Sequence, residues 1–174
     1  KNKEKNEEVF NKFWKEFGAV LKEGIYEDPD HKVDLLSLSK FKSSKGEDEK
    51  FLPQYVDGMH KKQKQIFYIA ADSLDQATKS PHLEAFKSKD IEVLFFTDPI
   101  DTFWLSTQAE FDGKKFVSIT QGSLDLSDFD EKGEDKKSQD QSSKFKGLTE
   151  GMKNALGDSV SDVRISTKLI DSAC

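Results

Sequence analysis

Three short runs, "QIFYIAA" at 65–71, "IEVLFFT" at 91–97 and "GKKFVSIT" at 113–120, alternate with stretches that carry helix-start signals. The first two are apolar at consecutive positions, so each reads as a strand covered by helices on both faces. Between them Asp72 or Ser73 opens one helical stretch, and Ser80 with Pro81 restarts it. Between the second and third, Asp98 caps a helix with Pro99 at its first position and Asp101 in its acidic first turn. Strand, helix, strand, helix, strand in so few residues requires parallel pairing with right-handed crossovers. The expected fold class is α/β, with residues 65–120 forming a small three-layer unit around a short parallel sheet.

The chain ahead of this unit is helical in pattern. Val9, Phe10, Phe13, Trp14, Phe17, Val20 and Leu21 form a broad apolar stripe that needs a partner surface, and Gly24 stands where such a helix would stop. Asp30 can cap a short helix through Leu35, Leu36 and Leu38, and "KFKSSKGEDEK" reads as an exposed loop. Leu52, Val56, Met59 and Gln63 share the face of a further helix in spite of Gly58. Beyond the α/β unit, residues 125–144 are charged and lack apolar periodicity, the composition of a linker. Phe145, Leu148, Met152 and Leu156 then mark a helical stripe ended by Gly157, and "VSDVRIS" alternates like a half-buried strand, which makes an incomplete α+β piece.

Charge narrows the function classes. The 174 residues carry a net charge of −6, and Arg164 is the only arginine, so there is no cluster to grip phosphates bidentately and nucleic acid is not an expected partner. No apolar run approaches the roughly 20 residues of a membrane span, and "KNKEKNEE" lacks the apolar core of a signal peptide. Cys174 is the only cysteine, which excludes an internal disulfide and fits a reducing compartment. Without an initiator Met, and stopping at "LIDSAC", the chain is expected to be a fragment of something longer.

The sharpest catalytic candidates are Asp72, Asp98 and Asp101. Two of them follow the carboxyl ends of adjacent strands, the edge where open α/β sheets bind ligands, and together they could hold Mg²⁺. The plainer reading is that all three cap helices. His31, His60 and His82 lie far apart without metal-ligand spacing, no glycine-rich phosphate loop is present, and no "GxSxG" turn supports nucleophilic hydrolysis. The basic run "HKKQKQ" neighbours Phe67 and Tyr68, which belong to a covered strand and cannot interleave as stacking platforms.

The stretch "EVLFFTDPIDTFWL" concentrates aromatics at one corner. Phe95 and Phe96 suit opposite faces of a buried strand. Phe103 and Trp104 sit about 100° apart on a helix, so one can face the sheet while the other looks outward as a contact for an apolar partner. Local packing of both at the helix–sheet boundary is the alternative.

"FNKFWKEFGAVLKEGIYED", "DGMHKKQKQIFYIAADS", "SPHLEAFKSKDIEVLFFTDPID", "EFDGKKFVSIT" and "LGDSVSDVRISTKLIDSAC" together resemble, in sequence and spacing, the heat-shock protein 90 chaperones, most of all the bacterial HtpG type. The resemblance implies a helical middle-domain connector over 1–64, the small α/β unit of the middle domain over 65–122, a charged linker over 123–144 and the start of the C-terminal dimerisation domain over 145–174. It implies that the ATP pocket, the catalytic arginine loop and the dimer-closing helices lie outside this chain. The fragment would then be a monomer without ATPase activity or cofactor, whereas its parent would be a homodimer using ATP and Mg²⁺.

The expected partners are partly unfolded client proteins and the parent's own N-terminal ATPase and C-terminal dimerisation domains. The expected location is the bacterial cytoplasm, with an organelle as alternative. The resemblance also assigns client contact to the helix after "PID", with Phe103 and Trp104 supplying apolar surface and Thr102 and Ser106 flanking it. Thr102 stands where members more often carry an acid, a departure that affects the polar half of the contact. The alternative function is a small Mg²⁺-dependent receiver or enzyme using Asp72 and Asp98.

Overall fold

Consecutive side chains of a strand leave opposite faces of a sheet, so strands apolar at every position need two separate apolar layers. The computed structural model, which describes residues 2–121, 124, 126, 129 and 135–163, supplies both. In chain order it contains α1 (Asn2–Glu27), α2 (Lys32–Leu38), β1 (Lys40–Ser43), β2 (Lys50–Phe51), α3 (Leu52–Asp57), β3 (Gln65–Ala70) and α4 (Leu74–Thr78). A 3-10 turn, Pro81–Leu83, then runs into α5 (Glu84–Ser88), followed by β4 (Leu94–Phe96), α6 (Pro99–Thr107), β5 (Glu110–Phe111), β6 (Lys114–Ser118) and α7 (Asp135–Leu156).

The strands form one mixed sheet in the order β2-β1-β4-β3-β6-β5. Its centre is parallel, with β3 between β4 and β6, as the strand–helix alternation predicts. Phe67, Ile69, Val93 and Phe95 enter one core with Ala77, Leu83 and Phe86 from the α4–α5 side. Ile66, Leu94 and Phe96 enter the other, with Ile25, Leu36, Leu52, Tyr55 and Trp104. The alternation is clean along β4 and the residue before it, with Val93 and Phe95 in one core and Leu94 and Phe96 in the other.

The structure differs from the sequence expectation in several elements. "KFKSSKGEDEK" is not a loop throughout: β1 pairs antiparallel with β4, with Lys42 opposite Phe95, and β2 pairs with β1. One buried aromatic, Phe41, among lysines and serines shows no alternation of hydropathy, because long lysine stems cover apolar surface while their heads stay polar. As a result, residues on both sides of position 64 share one sheet and one core. Helix α1 runs past Gly24 to Glu27. A side chain there would put its first carbon 3.0 Å from Leu35, so Gly24 permits the close approach of α2 and does not end the helix.

Helix α3 ends at Asp57 and does not reach Gln63. Gln63 is buried separately, donating to Tyr55 and to the Gln65 carbonyl. Helix α7 begins at Asp135, inside the stretch read as linker. Of "VSDVRIS", residues 160–163 are not in a strand and the remainder lies outside the described residues. Among the described residues no helix is long and apolar enough to cross a membrane.

Tyr55 ties α3 to the sheet. Its hydroxyl donates to the Glu92 carbonyl at 3.0 Å and accepts from Gln63 Nε2 at 3.0 Å and from the Phe67 N–H at 3.3 Å. Burial pushes its phenol well above the ordinary tyrosine range. Tyr55→Phe leaves buried partners unpaired, and urea denaturation is expected to show a loss of about 2 kcal/mol.

Candidate functional site

Helix α6 begins where β4 leaves the sheet. Pro99 takes its first position, and the Asp101 carboxylate reaches back to accept the Asp98 N–H at 3.3 Å. Asp101 is fully buried, and its Oδ1 accepts the indole Nε1–H of Trp104 at 2.9 Å. From α1, Lys22 Nζ lies 2.5 Å from Asp98 Oδ2, 3.1 Å from Asp101 Oδ1 and 4.7 Å from the centre of the Phe41 ring. Burial pushes the Asp101 carboxyl above its ordinary value, while the Lys22 charge and the bonds from Trp104 and Lys22 pull the other way. One ammonium, two carboxylates and an indole thus join α1, the start of α6 and the core.

The Trp104 ring packs against Phe96 at 5.4 Å, Phe116 at 5.3 Å and Phe41 at 6.1 Å between centroids. Its neighbour Phe103, a hundred degrees around the helix, is 58% exposed, whereas Trp104 is 0% exposed. Trp104 therefore cannot share a surface contact: its ring is core and its N–H is committed to Asp101. Thr102 and Ser106 are exposed beside Phe103, and each hydroxyl donates to a carbonyl of its own helix, Thr102 to Pro99 at 2.9 Å and Ser106 to Phe103 at 2.6 Å. What this corner presents to solvent is one aromatic ring flanked by two hydroxyls whose donors are spent locally.

The acidic set does not converge. Asp72 is exposed at the end of β3, while Asp98 and Asp101 are taken by Lys22. Among the described residues no group of three or more His, Cys, Asp or Glu is placed to hold a metal ion. The residues at this sheet edge do not fit a Mg²⁺–nucleotide, because an ammonium already holds the adjacent carboxylates. His31 bonds Asp28 at 2.9 Å, and His60 packs on Phe129 at 5.4 Å between ring centres. Lys61, Lys62 and Lys64 are exposed and Phe67 is buried, so the basic run and the aromatics face different surroundings.

Sequence reading passed over Lys22. Its signal was its place within the series Trp14, Gly18, Lys22 and Ile25, all on the buried side of α1. The other half of the apolar stripe, Val9, Phe13, Phe17 and Val20, is exposed, as are Phe145, Leu148, Met152 and Leu156 on α7.

A family model described as Hsp90 protein matches residues 1–174. The Chaperone protein HtpG of Mycolicibacterium vanbaalenii is 46% identical over 170 residues, covering 96% of this chain and 26% of that protein. That of Mesorhizobium japonicum is 44% identical over 172 residues, covering 98% and 27%. Among solved structures, the middle domain of a Plasmodium falciparum heat shock protein matches with a TM-score of 0.61 at 33% identity, over 64% of this chain and 48% of that one. The chain spans about a quarter of the length of the curated relatives it matches.

The knot around Lys22 is testable by charge and by pH. Lys22→Met strands a buried carboxylate and is expected to cost about 3 kcal/mol near neutral pH. Without the ammonium, the Asp101 pKa rises further above its unfolded value, so the folded state binds that proton more tightly. Stability then rises as pH falls through the window between the two values, and is lost as pH increases. Denaturation midpoints should show the deficit shrinking on acidification, and Lys22→Met/Asp101→Asn should recover part of it at neutral pH.

Proposed function

The chain belongs to the Hsp90 family, and from that premise we propose that it is the segment of an HtpG-type chaperone that touches partly unfolded client proteins and couples the parent's ATPase domain to its dimerisation domain. The observation that carries the client-binding part is the arrangement of α6, whose inner face is locked by Trp104 and Asp101 while Phe103 is held out to solvent. A fixed exposed ring offers a partner apolar area without the entropy cost of ordering a mobile loop. Client contact is assigned to Phe103 with Thr102 and Ser106 at its margin, and Trp104 serves as the anchor beneath.

In this proposal residues up to about 122 are the later part of the middle domain and residues from 145 onward begin the dimerisation domain. The exposed apolar stripe of α7 then belongs to the second unit. ATP and Mg²⁺ are bound elsewhere in a homodimeric, cytoplasmic parent. The Mg²⁺-dependent receiver reading has no observation in its favour, since of the two carboxylates it needs Asp98 is paired with Lys22 and Asp72 stands exposed apart from it.

Phe103→Ser should weaken binding of a reduced, carboxymethylated model protein by about fivefold, the scale of a partly buried aromatic, while leaving the melting temperature unchanged. Unaltered binding by the folded variant would remove Phe103 from the contact. Incubated with Mg-ATP, the purified chain should leave the nucleotide uncleaved, and turnover that co-purifies with the protein and persists after removal of contaminants would contradict the assignment of hydrolysis to other segments.

A further inference from the structure

A cavity of about 740 Å³ opens between α1 and the turn that joins β1 to β2; Thr102, Phe103 and Ser106 do not line it, so it is independent of the reading above. Two almost completely buried lysines line it, and they are treated differently. Lys22, 4% exposed, meets the carboxylates of Asp98 and Asp101. Lys40, 8% exposed, has no carboxylate within 4.0 Å among the described residues: its Nζ donates to the neutral Asn11 Oδ1 at 2.6 Å and lies 4.6 Å from the centre of the Phe51 ring and 5.8 Å from that of Phe10. Two π faces and an amide solvate this ammonium but leave its charge uncancelled.

The same cavity is lined by Lys42 from β1 and by Glu47 and Asp48 from the turn, and among the described residues none of these is in an ion pair. Charges of opposite sign thus border one space without closing it. The volume lies within the range of sites that hold small ligands and accommodates a few residues of polypeptide.

We infer that this cleft binds a short polypeptide segment of mixed charge, a ligand carboxylate being received by Lys40 with Lys42 beside it and a ligand ammonium by Glu47 and Asp48. Trp14 forms part of the wall, with its Nε1–H donated to Glu49 Oε2 at 2.8 Å, so it reports occupancy. The second tryptophan, Trp104, is sealed in the core.

The probe is the blocked peptide acetyl-Gly-Lys-Gly-Glu-Gly-amide, titrated into the full chain and followed by tryptophan emission at low ionic strength. The expected result is a saturable change that the Glu-to-Gln analogue of the peptide does not produce, that Trp14→Phe abolishes, and that Lys40→Met shifts to about tenfold higher peptide concentration, the scale of one charge-assisted pair. No saturable change, an equal response to the Gln analogue, or an unshifted titration in folded Lys40→Met overturns the inference. Should Lys40→Met fail to fold, Lys42→Met at its half-buried position takes its place. A severalfold weakening there supports the site, and none refutes it.

Discussion

A sheet whose central strands carry apolar side chains at consecutive positions cannot exist without cover on both sides, and that demand organises the protein. Phe95 and Phe96 are adjacent in the chain yet belong to different cores, one closed by α4 and α5 and the other by α1, α2, α3 and α6. The flanking hairpins follow from the same demand. Strand β1 extends the sheet beyond β4 and adds Phe41 to the second core, while β5 and β6 do the same beyond β3 through Phe111 and Phe116.

Within the second core the buried charges form a self-consistent group. Asp101 would be costly in that environment alone, and so would Lys22. Each makes the other tolerable, and the indole of Trp104 satisfies a further lone pair of the carboxylate. Because Lys22 lies on α1 and both carboxylates lie at the start of α6, the group sets the seat of α6 on α1, and with it which side of α6 faces water. The exposure of Phe103 is therefore a consequence of a buried polar contact as much as of its own chemistry. Lys40, similarly buried and with no carboxylate within 4.0 Å among the described residues, shows the contrasting case on the same cleft: a cation held by aromatic faces and an amide.

The legible parts of the fold were those where local pattern and burial coincide. β3, β4 and β6 announced themselves through β-branched and aromatic runs, the start of α6 through Asp98 and Pro99, and that of α4 through Asp72 or Ser73, of which Ser73 is the cap. β1 and β2 did not, because Phe41 is flanked by lysines whose stems, not heads, do the packing. Gly24 misled because its small size serves a neighbouring helix and not a helix end. For the candidate site, the aromatic corner was readable from the sequence, while helical spacing left a one-in, one-out arrangement open beside local packing of both rings, and burial decided for the former. Which ring went inward was not readable, since Asp101 selects Trp104 through an N–H that phenylalanine lacks.

The sequence by itself determined the α/β class, the parallel centre of the sheet, the capped entry to α6 and membership of a family whose segments recur here in order. Those properties depend on residues close together in the chain, where period, propensity and capping act. Tertiary structure alone decided the hairpin edges, the partner of Lys22 seventy-six and seventy-nine positions away, the isolation of the Lys40 charge and the outward turn of Phe103. Each of these depends on which distant group fills the space opposite a side chain, and burial converts that proximity into energy only once the chain has closed.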